Sequence, residues 1–358
     1  MPAHFHRITV KEVKKETDDC VSILLDIPEA WKETFRYSPG QHISLRTFIN
    51  GNEVRRTYSL CSSPLEDEWR IAVKKIPGGL FSTYANEQLK KGDPLEITPP
   101  AGRFFTPLQR SNKKNYLAIA AGSGITPILS ILRTTLQVEP ESSFTLVYGN
   151  RNRRSILFLE ALEALKNQYI DRFALHHLLS REEADTALHN GRIGKEKLQQ
   201  WEKVLPITSM HEIFLCGPLE MLQECRDYFM EKRIPEAQIH FEIFHDPGQT
   251  ANAGKKISGK PEKDTDTRMV IKLDGRTIEC VYPSHSSSSI LEVANAKGHG
   301  LPFACKGGMC CTCKAKLLKG KINMDVHWGL DAEEIAKGYI LTCQSRPLSN
   351  ELIIDFDQ

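Results

Sequence analysis

Over the first hundred or so residues, short apolar stretches alternate with turn residues. "HFHRITVKEVKKET", "VSILLDI", "GQHISLRTFI", "RRTYSL", "RIAVKKI" and "DPLEITPP" each have strand length and carry β-favouring side chains. Pro39-Gly40, Asn50-Gly51, Gly78-Gly79 and Gly92-Asp93 separate them. Such regular punctuation predicts an antiparallel β-barrel over residues 1–107. From residue 108 the period changes. "NYLAIAAGSGITPILSILRTTLQ" reads as a buried strand, a glycine turn and an amphipathic helix, with Ile128, Leu129, Ile131, Leu132 and Leu136 at helical spacing. "SFTLVYGNR" is a second strand, followed by the helix "SILFLEALEALKNQ". "RFALHHLLS" is a third, and "EIFLCGP" a fourth, followed by a helix in which Leu222, Cys225 and Phe229 share a face. Alternating strands and helices predict a doubly wound parallel α/β domain over 108–244.

Residues 245–268 are almost all polar, Gly or Pro, and cannot build a core, so they read as a flexible linker. A coil of that length spans about 25–30 Å on average. Residues 269–358 form a third, small domain: an Asp-Gly hairpin in "MVIKLDGRTIECVYP", then a short helix in "SILEVANAKGHG". Three domains fit a chain of 358 residues. With 40% apolar residues and a net charge of +2, nothing argues for a nucleic-acid partner. No run of 18 or more apolar residues and no basic-then-apolar start is present, so neither a membrane span nor an export signal is expected, and the cytoplasm is the expected location.

Chemistry concentrates in "CKGGMCCTC". In a reducing compartment a disulfide knot is disfavoured. Cys305, Cys310 and Cys313 have C-x4-C-x2-C spacing, and Cys343 follows in "YILTCQSRP". That is the spacing of a plant-type [2Fe-2S] cluster. Gly307 and Gly308 allow the backbone to fold closely around it. Zinc usually takes C-x2-C pairs on both sides, and Cys343 has no near partner. A zinc site or a metal-free loop are the other readings. Cys311 falls outside the spacing.

The remaining motifs are short. "GSGITP" at Gly122–Pro127 puts a glycine turn at a helix start, a place for phosphate or only a tight connection. "RTYS" at Arg56–Ser59 places Arg56 and Tyr58 on one face of a strand. "GGLFS" at Gly78–Ser82 opens a helix. "CGP" at Cys216–Pro218 ends a strand of the parallel sheet, where ligands bind, although cysteine is also a common core residue. "SRE" at Ser180–Glu182, with Arg151, Arg153 and Arg154, offers arginine forks for a 2′-phosphate or simply a solvated basic face.

In order, "RRTYS", "PGGLFS", "GSGITP", "YGNR", "LSRE", "CGP" and "ACKGGMCCTC…YILTCQ" resemble the ferredoxin–NADP reductase superfamily with a C-terminal plant-type ferredoxin domain. The resemblance covers nearly the whole chain except the linker. Its tail is most similar to reductase subunits of the phenylacetyl-CoA epoxidase kind, which serve multicomponent oxygenases. The resemblance implies an FAD-binding β-barrel, a nucleotide domain and a β-grasp ferredoxin domain. It implies that the strand Arg56-Thr57-Tyr58-Ser59 binds FAD: Arg56 at the pyrophosphate, Tyr58 at the flavin, Ser59 near flavin N5. Val73 and Lys74 line the isoalloxazine or ribityl side, and Gly79 and Ser82 hold phosphates. Gly122 and Thr126 face the nicotinamide nucleotide. Cys216, followed by Gly217 and Pro218, approaches the nicotinamide. Ser180 and Arg181 match the 2′-phosphate site, the arginines of "RNRRSI", Arg151 among them, favour NADPH, and Phe244 covers the flavin.

The implied path runs from NADPH through FAD and the [2Fe-2S] cluster to a di-iron oxygenase. Lys306, Lys314 and Lys316 are candidates to steer an acidic partner. A reductase for a different ring-hydroxylating or hydrocarbon oxygenase, and a non-enzymatic zinc or binding module, are the alternatives.

Overall fold

The computed structural model describes residues 5–184, 186–244, 265–273, 275–303, 306–308 and 311–358. Contacts divide the chain into two compact units, the larger holding the parallel sheet and the barrel apart from Arg55–Thr57, which group with the C-terminal sheet in the smaller. Among the described residues no helix is long and apolar enough to cross a membrane.

The barrel is built from β1 (His6–Thr17), β2 (Cys20–Asp26), β3 (His42–Ile49), β4 (Asn52–Ser59), β5 (Trp69–Lys74) and, after helix α1 (Leu80–Glu87), β6 (Pro94–Ile97). Their order is β4-β3-β6-β1-β2-β5. An antiparallel bridge between Leu60 and Ile71 joins the two ends of that order and closes the sheet. Alternate residues such as Ile8, Val10, Ile43, Leu45, Ile71 and Val73 fill the interior. The unbroken burial of β2 from Cys20 to Leu25 has a separate cause. Val21, Ile23 and Leu25 face the barrel interior. Cys20, with Ala72 of β5, belongs to the core of the neighbouring parallel sheet. β2 is therefore buried on both faces.

The parallel sheet contains β7 (Asn115–Ala121), β8 (Ser143–Asn150), β9 (Phe173–Leu179), β10 (Glu212–Gly217) and β11 (Ile239–Ile243), in the order β11-β10-β7-β8-β9. All pairs are parallel. Helices α2 (Ile125–Val138), α3 (Leu159–Gln168), α4 (Lys195–Trp201) and α5 (Leu219–Glu231) make the crossovers. Ile128, Leu129, Ile131, Leu132 and Leu136 of α2 are buried, as are Leu222, Cys225 and Phe229 of α5. Three details depart from the sequence expectations. The helix expected from Ser155 begins at Leu159, because Phe158 takes a left-handed φ of 57°. Helix α4 has no periodic signature: its sequence is polar and it buries only Leu198 and Trp201. Strand β11, five residues long, is equally silent in the pattern.

The smaller unit holds β12 (Thr267–Leu273), β13 (Arg276–Tyr282), α6 (Ile290–Ala296), β14 (Lys314–Lys319), β15 (Ile322–Met324), α7 (Ala332–Ala336), β16 (Tyr339–Leu341), β17 (Ser345–Pro347) and β18 (Glu351–Asp355). Five strands form a mixed sheet in the order β13-β12-β18-β14-β16, in which β18 runs parallel to β12. Thr267 and Arg268, read from composition as linker, start β12. Residues 245–264 of that stretch lie outside the described residues.

One feature of the parallel sheet sets an acid limit. His176 and His177 are neighbours on β9, and neither ring nitrogen of His177 has a hydrogen-bond partner. Burial pushes both imidazoles down to about 4, with His189 adding to the effect on His176 and Arg153 to that on His177. In the unfolded chain histidine titrates at ~6.5, so between the two values the unfolded state holds more protons. Stability is thus fully present above about 6.5 and falls as pH drops toward about 4. Thermal unfolding from pH 7 to pH 5 should show a falling midpoint, and His177→Phe, which keeps the ring packed on Tyr148, should flatten the fall. Equal slopes in both proteins would refute this.

Candidate functional site

In the order β9-β8-β7-β10-β11 the direction of winding reverses between β7 and β10, the place where open α/β sheets bind ligands. The turn Gly122–Gly124 leaves β7 here and leads into α2, whose start has no side-chain cap. Uncapped first-turn amides suit a phosphate or carboxylate. Gly122 has a φ of 54° and faces open space, with no atom within 4 Å of where a Cβ would stand. Gly124 is required for a different reason. A Cβ there would lie 2.3 Å from the Cys216 carbonyl oxygen. The absent side chain lets the turn after β7 press against the end of β10.

Cys216 is buried with no exposed surface. Burial first, and the Glu242 carboxylate second, push its thiol well up, so it is a neutral thiol. Cys216 is paired across the parallel ladder with Glu242 of β11. Glu242 is itself only 9% exposed. The Ser59 hydroxyl, at the end of β4, donates to Glu242 Oε2 at 3.0 Å. His42 of β3 presents Nδ1 to Glu242 Oε1 at 3.5 Å. Phe244 follows β11, donates its amide to the Gly217 carbonyl at 3.1 Å and is half-buried against the nucleotide-domain core. The fold thus gathers Ser59, Cys216 and Phe244 with two residues that motif reading missed, Glu242 and His42. Glu242 had a weak signal, a carboxylate alternating with apolar residues in "HFEIF".

The residues read as flavin ligands divide into two kinds. Arg56 is exposed on β4, Thr57 is half-buried, and Tyr58 packs on Phe81 with centroids 5.6 Å apart. Gly79 begins α1 with no side-chain cap. The Ser82 hydroxyl, by contrast, donates to the Gly79 carbonyl at 3.3 Å and accepts from the Ile76 amide at 3.1 Å. Its proton is used inside the turn, and the free groups there are the backbone amides of the helix start. Val73, expected beside the flavin, turns its side chain inward. It points into the barrel core, and its carbonyl accepts from Asn86 Nδ2 at 3.0 Å. Lys74 pairs with Asp19 at 3.4 Å. The Thr126 hydroxyl likewise donates to the Ser123 carbonyl at 3.1 Å and is buried.

The four arginine candidates separate. The Ser180 amide donates to the Asn150 carbonyl and the Arg181 amide to the Arg151 carbonyl, so the loops after β8 and β9 are stitched together. Arg151 and Arg181 are both exposed on that pair of loops. The amide group of Asn150, at the end of β8, is buried with neither Oδ1 nor Nδ2 hydrogen-bonded, so the edge retains polar atoms without partners. Arg153 and Arg154 do not join them. They line a crevice of 660 Å³ with Lys14, Arg70, Arg133 and the start of α3. Pro218 is exposed beyond the end of β10.

In the smaller unit, Cys305 and Cys310 lie outside the described residues. Cys313 and Cys343 are 3% and 7% exposed. The Cys313 carbonyl accepts from both the amide and the hydroxyl of Thr342, at 3.2 and 3.0 Å, which holds the two cysteine segments side by side. Gly308 has a φ of 76°, and a Cβ there would come within 3.0 Å of Val326. Cys311 is turned elsewhere, its thiol donating to the Gly329 carbonyl at 2.8 Å. Buried, paired cysteine segments with a glycine at positive φ fit a cluster loop. The lysines are partly engaged: Lys314 pairs with Glu334 at 3.0 Å and Lys306 lies over the Phe303 ring.

Three domain families match the chain in sequence. The oxidoreductase FAD-binding domain matches residues 7–106, the oxidoreductase NAD-binding domain residues 118–227, and the 2Fe-2S iron–sulfur cluster binding domain residues 271–348. The chain is 42% identical over 354 residues to a component of the 1,2-phenylacetyl-CoA epoxidase of Escherichia coli, covering 99% of this chain and 98% of that one. The chain belongs to this reductase family. It is also 33% identical to the ferredoxin reductase component of 3-ketosteroid-9-alpha-monooxygenase of Rhodococcus rhodochrous, over 98% of this chain and 96% of the other. Phthalate dioxygenase reductase, a modular structure for electron transfer from pyridine nucleotides to [2Fe-2S], matches with a TM-score of 0.58 and 26% identity over 98% of each chain. The protein is therefore an oxidoreductase with FAD-, NAD- and 2Fe-2S-binding domains, a reductase component of the multicomponent oxygenase type.

The close contact at Gly124 yields a direct expectation. Gly124→Ala should cost roughly 1–3 kcal/mol through overpacking against backbone that cannot move aside. It should also weaken nicotinamide nucleotide binding, since α2 must shift. Thermal unfolding and nucleotide titration check both, and a variant with wild-type stability and affinity would disprove the constraint.

Proposed function

We propose that this chain takes a hydride from NADPH onto FAD and passes the electrons, through a [2Fe-2S] cluster, to a di-iron oxygenase that epoxidises phenylacetyl-CoA. The observation that carries the reading is the 42% identity to the 1,2-phenylacetyl-CoA epoxidase component along the whole of both chains. FAD, when bound, converts a hydride into single electrons, and the cluster carries them one at a time. The residues supply position. Arg56 and the uncapped start of α1 hold the flavin's pyrophosphate. Tyr58 packs against the flavin, and Ser59 sits at its N5. The Gly122 turn and the start of α2 receive the nicotinamide nucleotide, with Cys216 as a neutral, shape-defining thiol and Phe244 as the cover of the flavin. Cys305, Cys310, Cys313 and Cys343 ligate the cluster.

The preference for NADPH is supported by Arg151 and Arg181, whose loops are joined by a backbone hydrogen bond and which flank Ser180. A planar guanidinium grips a phosphate with two bonds. Anaerobic titration should reduce flavin and cluster with NADPH at far lower concentration than with NADH. Arg181→Ala should lower kcat/KM for NADPH by roughly 10- to 100-fold, the worth of one charged hydrogen bond, and leave NADH turnover nearly unchanged. Equal use of both nucleotides by the wild-type protein would remove the NADPH assignment.

A second reading, service to another oxygenase, has support in the 33% identity to the steroid monooxygenase reductase component. Mixing the reductase with candidate oxygenases separates the two: epoxidation of phenylacetyl-CoA is expected under the first, and turnover only with a ring-hydroxylating partner under the second. Within either reading, Cys313→Ser or Cys343→Ser should leave FAD bound while most of the iron and sulfide is lost after anaerobic reconstitution. Full iron content in both variants would rule these cysteines out as ligands.

A further inference from the structure

Arg55 stands next to Arg56 on β4, and alternation turns the two side chains to opposite faces. With Thr57 both belong to the smaller unit, together with Phe5 and Phe303. The Arg55 guanidinium lies over the Phe5 ring, 5.5 Å from its centroid, and over the Phe303 ring, at 5.1 Å. The ring quadrupole attracts a cation placed there, and arginine is the cation that most often takes such a place. Phe303 receives a second cation, Lys306 Nζ, 4.9 Å from its centroid. Lys306 is held in turn: its carbonyl accepts from Gln344 Nε2 at 2.7 Å. Gln344 directly follows Cys343. At the other end, Arg56 Nη1 donates to the Arg55 carbonyl at 2.7 Å. Contacts therefore run unbroken from Arg56 through Arg55, Phe303 and Lys306 to Gln344, beside Cys343.

We propose that Arg55 is a positioning residue that sets the geometry for electron transfer from flavin to cluster. The inference rests on the reading that Arg56 holds the flavin's pyrophosphate and that Cys305 and Cys343 ligate the cluster. Under that reading one residue of the strand carries the flavin. Its neighbour grips the aromatic ring that stands two residues ahead of Cys305. The balance of the step is simple: one electron leaves the reduced flavin, and one ferric iron becomes ferrous. No bond in the chain is made or broken, so the protein's share is orientation and electrostatics. Arg55 suits the first of these. A guanidinium is planar, stacks on aromatic faces and keeps its charge at every working pH. Lysine supplies the charge but not the plane, and leucine supplies neither. The two ends of the chain of contacts are backbone carbonyls, of Arg55 and of Lys306, each held by a side-chain donor. A shift of the Phe303 ring is thereby felt at both segments.

The test uses the full chain loaded with FAD and cluster, under anaerobic conditions. Stopped flow with NADPH follows flavin reduction and cluster reduction at separate wavelengths. Arg55→Leu should reduce its flavin at the wild-type rate, yet pass the electron to the cluster roughly 3- to 30-fold more slowly, the worth of one cation–π contact. Its FAD and iron content should match the wild type. Phe303→Leu should be slow in the same step, and the double variant no slower than Phe303→Leu alone. Arg55→Lys should recover part of the rate. Amide hydrogen exchange reads the contact apart from turnover: the peptides holding Phe5 and Phe303 should exchange faster in Arg55→Leu. Wild-type cluster reduction in Arg55→Leu, slowing that multiplies in the double variant, unchanged exchange, or loss of FAD or iron from Arg55→Leu would each overturn the proposal. Arg56→Ala tells the two levels apart. Wild-type FAD affinity in that variant would sink the placement of the flavin. Weakened FAD binding in Arg56→Ala, with wild-type cluster reduction in Arg55→Leu, would sink only the role of Arg55.

Discussion

The hydrogen bond from Ser59 to Glu242 is the contact on which the larger unit's chemistry turns. Its partners are 183 residues apart in sequence, one at the end of a barrel strand and one on the edge strand of the parallel sheet. A buried carboxylate is expensive unless its oxygens are satisfied. Ser59 satisfies one Glu242 oxygen only when barrel and sheet meet in one register, and His42 Nδ1 faces the other oxygen without a hydrogen bond. The pair therefore ties the end of a barrel strand to the edge of the parallel sheet. The Gly124 contact with Cys216 acts in the same direction from within the sheet, bringing the glycine turn to the strand end that Glu242 flanks.

Much of the architecture was legible because the periods were strong. The barrel strands announce themselves by alternation and turn residues, and "NYLAIAAGSGITPILSILRTTLQ" gives strand, turn and helix almost to the residue. What escaped was local in sequence and dependent on distant packing. Helix α4 is polar along most of its length and exists because Leu198 and Trp201 find a core. Helix α3 starts late because Phe158 adopts a left-handed conformation, which nothing in its neighbours announces. Strand β11 is five residues that become a strand only by pairing with β10.

The site divides in the same manner. Cys216, Ser59 and Gly122 carry motifs, and the fold brings them to one edge. Glu242 and His42 do not, because their meaning lies in a contact between segments that no spacing rule connects. The arginines show the opposite failure. Four in a short stretch of motifs looked like one phosphate site, yet the chain turn after Asn152 sends Arg153 and Arg154 to line a crevice against β1, and leaves Arg151 with Arg181. Composition counts charges, but only the backbone decides which of them converge.

Cys216 and Glu242 also show why burial matters more than residue type here. Side by side on adjacent strands, a thiol and a carboxylate share a medium in which a second negative charge is costly. Glu242 accepts from Ser59, while the thiol has no donor among the described contacts and remains protonated. A neutral sulfur at the strand end presents a soft, uncharged surface and no nucleophile. The carboxylate group lies one strand away, tethered to Ser59.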